Sequence, residues 1–300
     1  MNTAVFKTKA SILLLCLFSA FTFVSCSSDD EPSEESRNAR FLTIQDMPIT
    51  RATFTEVVAD GKKRINAAWD AGDYATYFNW SAFAFNNMNF GPLQAAASAP
   101  ATEFLGSVYC NVNDSLVLFY PQTDPVTQNN EWRGCFSISL SGQKGTLSDI
   151  ASHYHYIYGA AKVTSVTDNT AEATVASMKS LLALCKFTFT DGANPIPVKE
   201  LTISYDGTNP AFYPLSGYVK PDAHAENVVA TPVLPGTTPL SIILDSETSD
   251  GVYVALFPIE DQTILFTVKT GNNVTYTGTA TAKLRSGKYY PVELQLVVEE

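Results

Sequence analysis

Val274-Thr275-Tyr276-Thr277-Gly278-Thr279-Ala280-Thr281-Ala282-Lys283-Leu284 alternates threonine with apolar or small residues along nearly its whole length. A period of two places successive side chains on opposite faces of a strand, and threonine is a good strand former. Arg285-Ser286-Gly287-Lys288 reads as a turn, after which Tyr290, Val292, Leu294, Leu296 and Val298 alternate with Pro291, Glu293 and Gln295. The two stretches are expected to form a β-hairpin with one face in the core and one in water. Upstream, Ile264, Phe266 and Val268 supply another strand, joined through Gly271-Asn272-Asn273, and Val252 to Phe257 reads as a buried strand before it. Short strands at intervals of about 8–12 residues, with turn signals between them, indicate an all-β sandwich.

The same texture runs through residues 52–162. Leu116 to Tyr120 is an apolar run stopped by Pro121, and Phe136, Ile138 and Leu140 alternate with serines. Asp60-Gly61, Ala71-Gly72-Asp73, Asn86-Asn87, Gly91-Pro92 and Ser141-Gly142 punctuate these runs. Ile65 to Trp69 is compatible with a helical turn. Val175, Met178, Leu181, Leu182 and Cys185 sit at helical spacing after Thr170, so a short helix is expected there, leading into an alternating strand at Lys186–Thr190. The first set of β runs ends near residue 162. Two domains are therefore expected, at 52–162 and 163–300, in keeping with the usual domain size.

Ahead of them lies a different composition. Lys7 and Lys9 precede an apolar stretch from Ile12 to Val24, then Ser25 and Cys26. The stretch is shorter than the ~20 residues a membrane span needs and fits a signal h-region. Small Ser25 before a thiol fits a lipoprotein signal over residues 1–25, with Cys26 as the lipidated first residue of the mature chain. Phe23 stands where such boxes more often carry leucine, and an ordinary signal peptide that happens to contain Cys26 is the plainer alternative. Asp29, Asp30, Glu31, Glu34 and Glu35 follow, a solvated acidic tether, and Ser28-Asp29-Asp30-Glu31 also resembles the export signal of Bacteroidetes surface lipoproteins. Residues 26–51 then end in Phe41, Leu42, Ile44, Met47 and Ile49, expected as an edge or end strand because of Pro48, and in Thr50-Arg51-Ala52. An arginine in an exposed joint suits a trypsin-like protease.

The chain of 300 residues carries a net charge of −11. That excludes the basic surface nucleic acid needs and electrostatic docking on anionic lipid, leaving the lipid anchor as the link to a membrane. Beyond Cys16 and Cys26, Cys110, Cys135 and Cys185 remain. Cys110 and Cys135 are the obvious candidates for one disulfide, and all three as buried small hydrophobes is the equal alternative. No cofactor is expected. His153 and His155 share a face if their segment is a strand, but no acid stands at metal spacing and no paired cysteines support a zinc site. Asp70 and Asp73 are explained by a turn at Gly72. Trp80, Phe83 and Phe85 suit a sugar-stacking face or a core. No hydrolase elbow, phosphate loop or dinucleotide fingerprint occurs, so no enzyme is expected.

Taken in order, these features resemble the Bacteroidales fimbrillin family, the FimA- and Mfa-like type V pilin subunits. The leader ends at Cys26 and Thr50-Arg51-Ala52 matches the family's processing junction. Trp69-Asp70-Ala71-Gly72-Asp73, Phe119-Tyr120-Pro121, Thr279-Ala280-Thr281-Ala282, Gly287-Lys288-Tyr289-Tyr290 and Leu294-Gln295-Leu296 are similar to its segments. Residues 190–250 carry no likeness. The resemblance implies two tandem transthyretin-like β-sandwich domains and a lipoprotein precursor anchored on the outer membrane. It also implies cleavage after Arg51 and polymerisation with other pilin subunits by strand exchange, with a host or bacterial surface receptor as a further partner. The physics of exchange stands beside it. Removing residues 27–51 takes a strand from the first domain and leaves unpaired backbone beside an apolar groove. Tyr290, Val292, Leu294, Leu296 and Val298 make the best donor strand, or else an ordinary last strand of their own domain. The rival function is a monomeric, lipid-anchored glycan-binding lipoprotein.

Overall fold

The computed structural model describes residues 37–47, 53–82, 89–126, 134–206, 216–220, 229–231 and 239–299. The strands of the first half are β1 (Asn38–Met47), β2 (Thr53–Ala59), β3 (Lys62–Ala68), β4 (Tyr74–Asn79), β5 (Phe90–Ala95), β6 (Thr102–Cys110), β7 (Ser115–Tyr120), β8 (Phe136–Ser139), β9 (Ile157–Val166) and β10 (Thr170–Ser180). Those that follow are β11 (Ala183–Thr190), β12 (Val198–Tyr205), β13 (Ser216–Lys220), β14 (Val229–Thr231), β15 (Leu240–Thr248), β16 (Val252–Leu256), β17 (Ile259–Lys269), β18 (Thr275–Leu284), β19 (Tyr289–Gln295) and β20 (Val297–Val298). A helical turn at Leu147–Asp149, capped by the Thr146 side chain, runs into a π-helical turn at Ile150–Tyr154. The described chain is all-β apart from these turns.

Seven strands close on themselves in the order β1-β10-β9-β7-β4-β5-β6. Leu42, Ile44, Met47, Trp69, Leu93 and Phe104 fill the interior of this barrel, all fully buried. Trp69 meets Phe104 edge-on with ring centroids 4.8 Å apart. The apolar run in β7 does not alternate because both of its faces are covered. Leu116, Leu118 and Tyr120 point into the barrel, while Val117 and Phe119 join a second cluster outside it with Phe136, Ile138 and Leu182. Phe119 stacks on Phe136 at 4.3 Å.

Past Ser180 the chain builds a three-stranded sheet, β16-β11-β19, and a five-stranded one, β15-β12-β17-β18-β20. One core lies between them, with Phe187 edge-on to Phe266 at 5.1 Å. Alternation in β17 and β18 follows directly, since one face meets that core and the other meets water.

Four expectations need correction. The stretches 274–284 and 289–298 are not a hairpin. β18 pairs with β17 and β20, whereas β19 runs parallel to β11 in the other sheet. The exposed turn at 285–288 carries the chain from one sheet to the other, and Gly278 leaves room for the return, since a Cβ there would sit 2.5 Å from Leu296. The expected helix at 175–185 is strand β10 followed by β11. A register shift between Val175 and Met178 puts an extra residue into β10, and that imitates helical spacing. Residues 65–68 are likewise strand. β1 is not an edge: it pairs with β6 on one side and β10 on the other, and ends before Pro48. β9 runs through residue 162, and the closed sheet extends to Ser180 at the end of β10.

Candidate functional site

The site is the slot that β1 fills. β1 runs antiparallel to β6, from Asn38 opposite Cys110 to Met47 opposite Thr102, and parallel to β10, from Phe41 opposite Thr170 to Ile44 opposite Ala173. It is therefore the strand that closes the barrel, with its buried side chains in the interior and Phe41 outside, 53% exposed. Each of the three buried side chains contributes about 2 kcal/mol by leaving water.

Two arginines clasp it. Arg37 donates to Asp114 from Nε at 2.8 Å and from Nη2 at 3.2 Å, and Nη2 also donates to the Ser81 carbonyl at 3.0 Å. The same carboxylate accepts from Asn79 Nδ2 at 2.8 Å and from the Asn111 amide at 2.9 Å. The Asp114 side chain is only 7% exposed. Burial alone would raise its pKa, but the hydrogen bonds from Arg37, Asn79 and Asn111 outweigh it and hold the carboxyl below its ordinary range. Arg40 reaches across to the carbonyls of Thr167, at 2.7 Å, and Cys110.

Beyond β1 the chain passes through residues 48–52 to β2. Arg51, Ala52 and Cys26 lie outside the described residues. Glu56 on β2 ties the β2–β3 hairpin to the C-terminal sheet. Its Oε2 accepts from Tyr253 Oη at 2.5 Å and Tyr289 Oη at 2.8 Å, with Lys186 Nζ at 3.5 Å. Burial opposes ionisation, but the two phenols and the lysines Lys186 and Lys63 bring Glu56 down to about 2. A depressed carboxylate stabilises the fold above its unfolded value of about 4.3 and loses that contribution as pH falls toward the folded value. Glu56→Gln is thus expected to flatten the loss of stability between about pH 4.5 and 2, and Glu56→Ala to cost about 2 kcal/mol at pH 7. Denaturant midpoints across pH check both.

The geometry is that of a closed sheet plugged by one clasped strand, which makes the comparison with solved structures informative. No family model matches the sequence, and no curated protein matches it. A candidate cell adhesion protein of Bacteroides ovatus does, with a TM-score of 0.51 at 16% identity, over 88% of this chain and 96% of that one. Another from Bacteroides uniformis gives 0.52 at 13% identity, over 90% and 98%. The chain shares their fold.

The expected donor residues are not on one free strand. Tyr290, Val292 and Leu294 are half-buried on β19 against the C-terminal core, Leu296 is buried in the crossing, and Val298 on β20 is 55% exposed. The segment is thus already paired, in parallel with β11. Cys110, Cys135 and Cys185 are free thiols, all buried. Burial pushes Cys110 up to about 11 and Cys185 further still, so neither is a thiolate at neutral pH.

His153 and His155 do not share a strand face. His153 lies in the π-helical turn, 3.1 Å from Asp149 Oδ1, and His155 packs its ring edge-on against Phe54. No group of three His, Cys, Asp or Glu that could hold a metal occurs among the described residues. Asp73 accepts from the Asp70 amide at 2.7 Å and the Asp73 amide donates back to the Asp70 carbonyl, a turn. Trp80 packs edge-on to Phe78 beside the second cluster, while Phe83 and Phe85 lie outside the described residues. The clasp residues Arg37, Arg40 and Asp114, and the tie at Glu56, have no motif in the sequence. Its one local signal was the pair of arginines three apart, directly ahead of Leu42 and Ile44.

Proposed function

We propose that this chain is a structural or adhesive subunit of a bacterial surface fimbria, a pilus. It is exported as a lipoprotein anchored through Cys26 on the outer membrane and polymerised by strand exchange once a trypsin-like protease cuts Arg51–Ala52. On this reading the closed sheet and the C-terminal pair of sheets correspond to two tandem transthyretin-like β-sandwich domains, and the protein is not an enzyme. Its partners are further pilin subunits and a receptor on a host or bacterial surface.

One observation carries it. The strand that closes the barrel ends at Met47, four residues before Arg51. A single cut therefore separates β1, and the tether before it, from the rest of the fold. With β1 gone, β6 and β10 offer unpaired edges beside the holes of Leu42, Ile44 and Met47, and a donated strand satisfies both. The adhesion candidates that share the fold agree with a surface role.

Arg51→Ala is expected to leave the subunit lipid-anchored and monomeric, with no heat-sensitive ladder on gels of unboiled surface protein. Ladders formed by this variant at the native level contradict the processing step. The glycan-binding alternative has one feature in its favour. A cavity of about 730 Å³, the size of a small-ligand site, lies beside the β2–β3 hairpin with Phe54, Lys63, Arg64, Tyr154 and Tyr289 in its wall.

A further inference from the structure

Emptying the slot leaves behind a group that no backbone ladder can satisfy. Asp114 keeps Asn79 and the Asn111 amide, but the guanidinium that pairs with it leaves with β1. A carboxylate this far from water is costly to leave without a countercharge. The strand that refills the slot is therefore chosen by charge as well as by shape.

The sequence offers a match. Among its nineteen lysines and arginines, only two pairs stand three residues apart, Arg37/Arg40 and Arg285/Lys288. Both pairs are followed by apolar residues at the same two further places, Leu42 and Ile44 in one case, Tyr290 and Val292 in the other. We propose that Asp114 selects the strand that replaces β1, and that the strand selected is Arg285–Val292 of a second copy. Arg285 then takes the place of Arg37, Lys288 that of Arg40, and Tyr290 and Val292 enter the holes of Leu42 and Ile44. This rests on the strand-exchange reading above and names its partner and register.

The present position of the segment agrees with that. Arg285 and Lys288 are exposed and form no ion pair among the described residues. β19 already runs parallel to β11, as β1 runs parallel to β10. Gly287 holds a turn at φ +70° and, as glycine, extends without strain. One ladder bond is given up. The Phe41 amide donates to the Asn169 carbonyl, so the Thr43 amide two residues on also faces β10, and Pro291 at that place has no donor. The release of β19 must break its ladder to β11 and also the Tyr289–Glu56 bond, which makes Glu56 a side-chain hold on the donor.

The test uses the purified full chain cut at Arg51 by limited digestion, with labelled peptides of residues 36–47 and 284–298 in excess. Capture is read on unboiled gels. Both peptides are expected to bind, and Arg37→Glu or Arg285→Glu versions to bind about tenfold less or worse, a typical scale for reversing one partner of a buried charge pair. In Asp114→Asn protein that difference is expected to vanish. Equal capture of the Arg285→Glu peptide by the native chain overturns selection by Asp114 and leaves strand exchange standing. Capture of 36–47 but not of 284–298 overturns the assigned donor. Residues 37–51 staying bound after the cut, against either peptide, defeats strand exchange itself and this proposal with it.

Discussion

Ile44→Asp is expected to destabilise the chain by about 4–5 kcal/mol and to turn a monomer into a self-associating species. Ile44 is fully buried, opposite Phe104 on β6 and Ala173 on β10. A carboxylate there has no partner in an interior of Leu42, Met47, Trp69 and Phe104, so it must take up a proton or expel the strand. Expulsion opens β6 and β10, and their unpaired edges become templates for other chains. The variant therefore imitates, without a protease, the consequence of the proposed cut. Phe41→Asp, three residues earlier on the exposed face, is the control and is expected to change stability by no more than about 0.5 kcal/mol. Denaturant unfolding and size-exclusion chromatography of the pair check this. Equal stability of the two variants contradicts the placement of β1 in the barrel.

Asp114→Ala is expected to cost roughly 3–5 kcal/mol, the usual scale for removing one partner of a buried ion pair. It takes the countercharge from the Arg37 guanidinium and removes an acceptor from Asn79 and the Asn111 amide. Removing both charges, as Arg37→Met with Asp114→Leu, is expected to recover part of the loss, because no uncompensated charge remains. The pH dependence has a definite sign. The Asp114 carboxyl is held below its ordinary value, so its contribution is complete above about 3.9 and fades as pH falls through the lower folded value. Unfolding midpoints of the native chain and of Asp114→Ala should converge in acid. A constant gap down to the lowest pH contradicts the clasp.

Strand alternation made β16, β17 and β18 legible, since Val252, Phe266 and Ala280 mark the inward face whatever the partner strand is. Alternation does not name the partner. β18 and β19 carry the same signal and adjoin in sequence, yet they belong to facing sheets, because the decision lies in the crossing over Gly278. The run at Val175 and Met178 has helical spacing because a bulge turns a period of two into a step of three. Strand β1 itself was legible from Phe41, Leu42, Ile44 and Met47. Its central place was not, because Pro48 suggested an edge and the proline falls just past the end of the pairing. The clasp was out of reach for another reason. Arg37 and Asp114 are 77 residues apart, and a lone Asp before a strand reads as an ordinary turn residue until the fold folds it under.

The segment proposed to carry the anchor also closes the barrel, so that releasing one would open the other. The most direct measurement is the N-terminus, by mass spectrometry, of the subunit in filaments sheared from cells. The expected first residue is Ala52, with residues 26–51 absent from the filament. A polymer whose subunits begin at a lipid-blocked Cys26 contradicts the account.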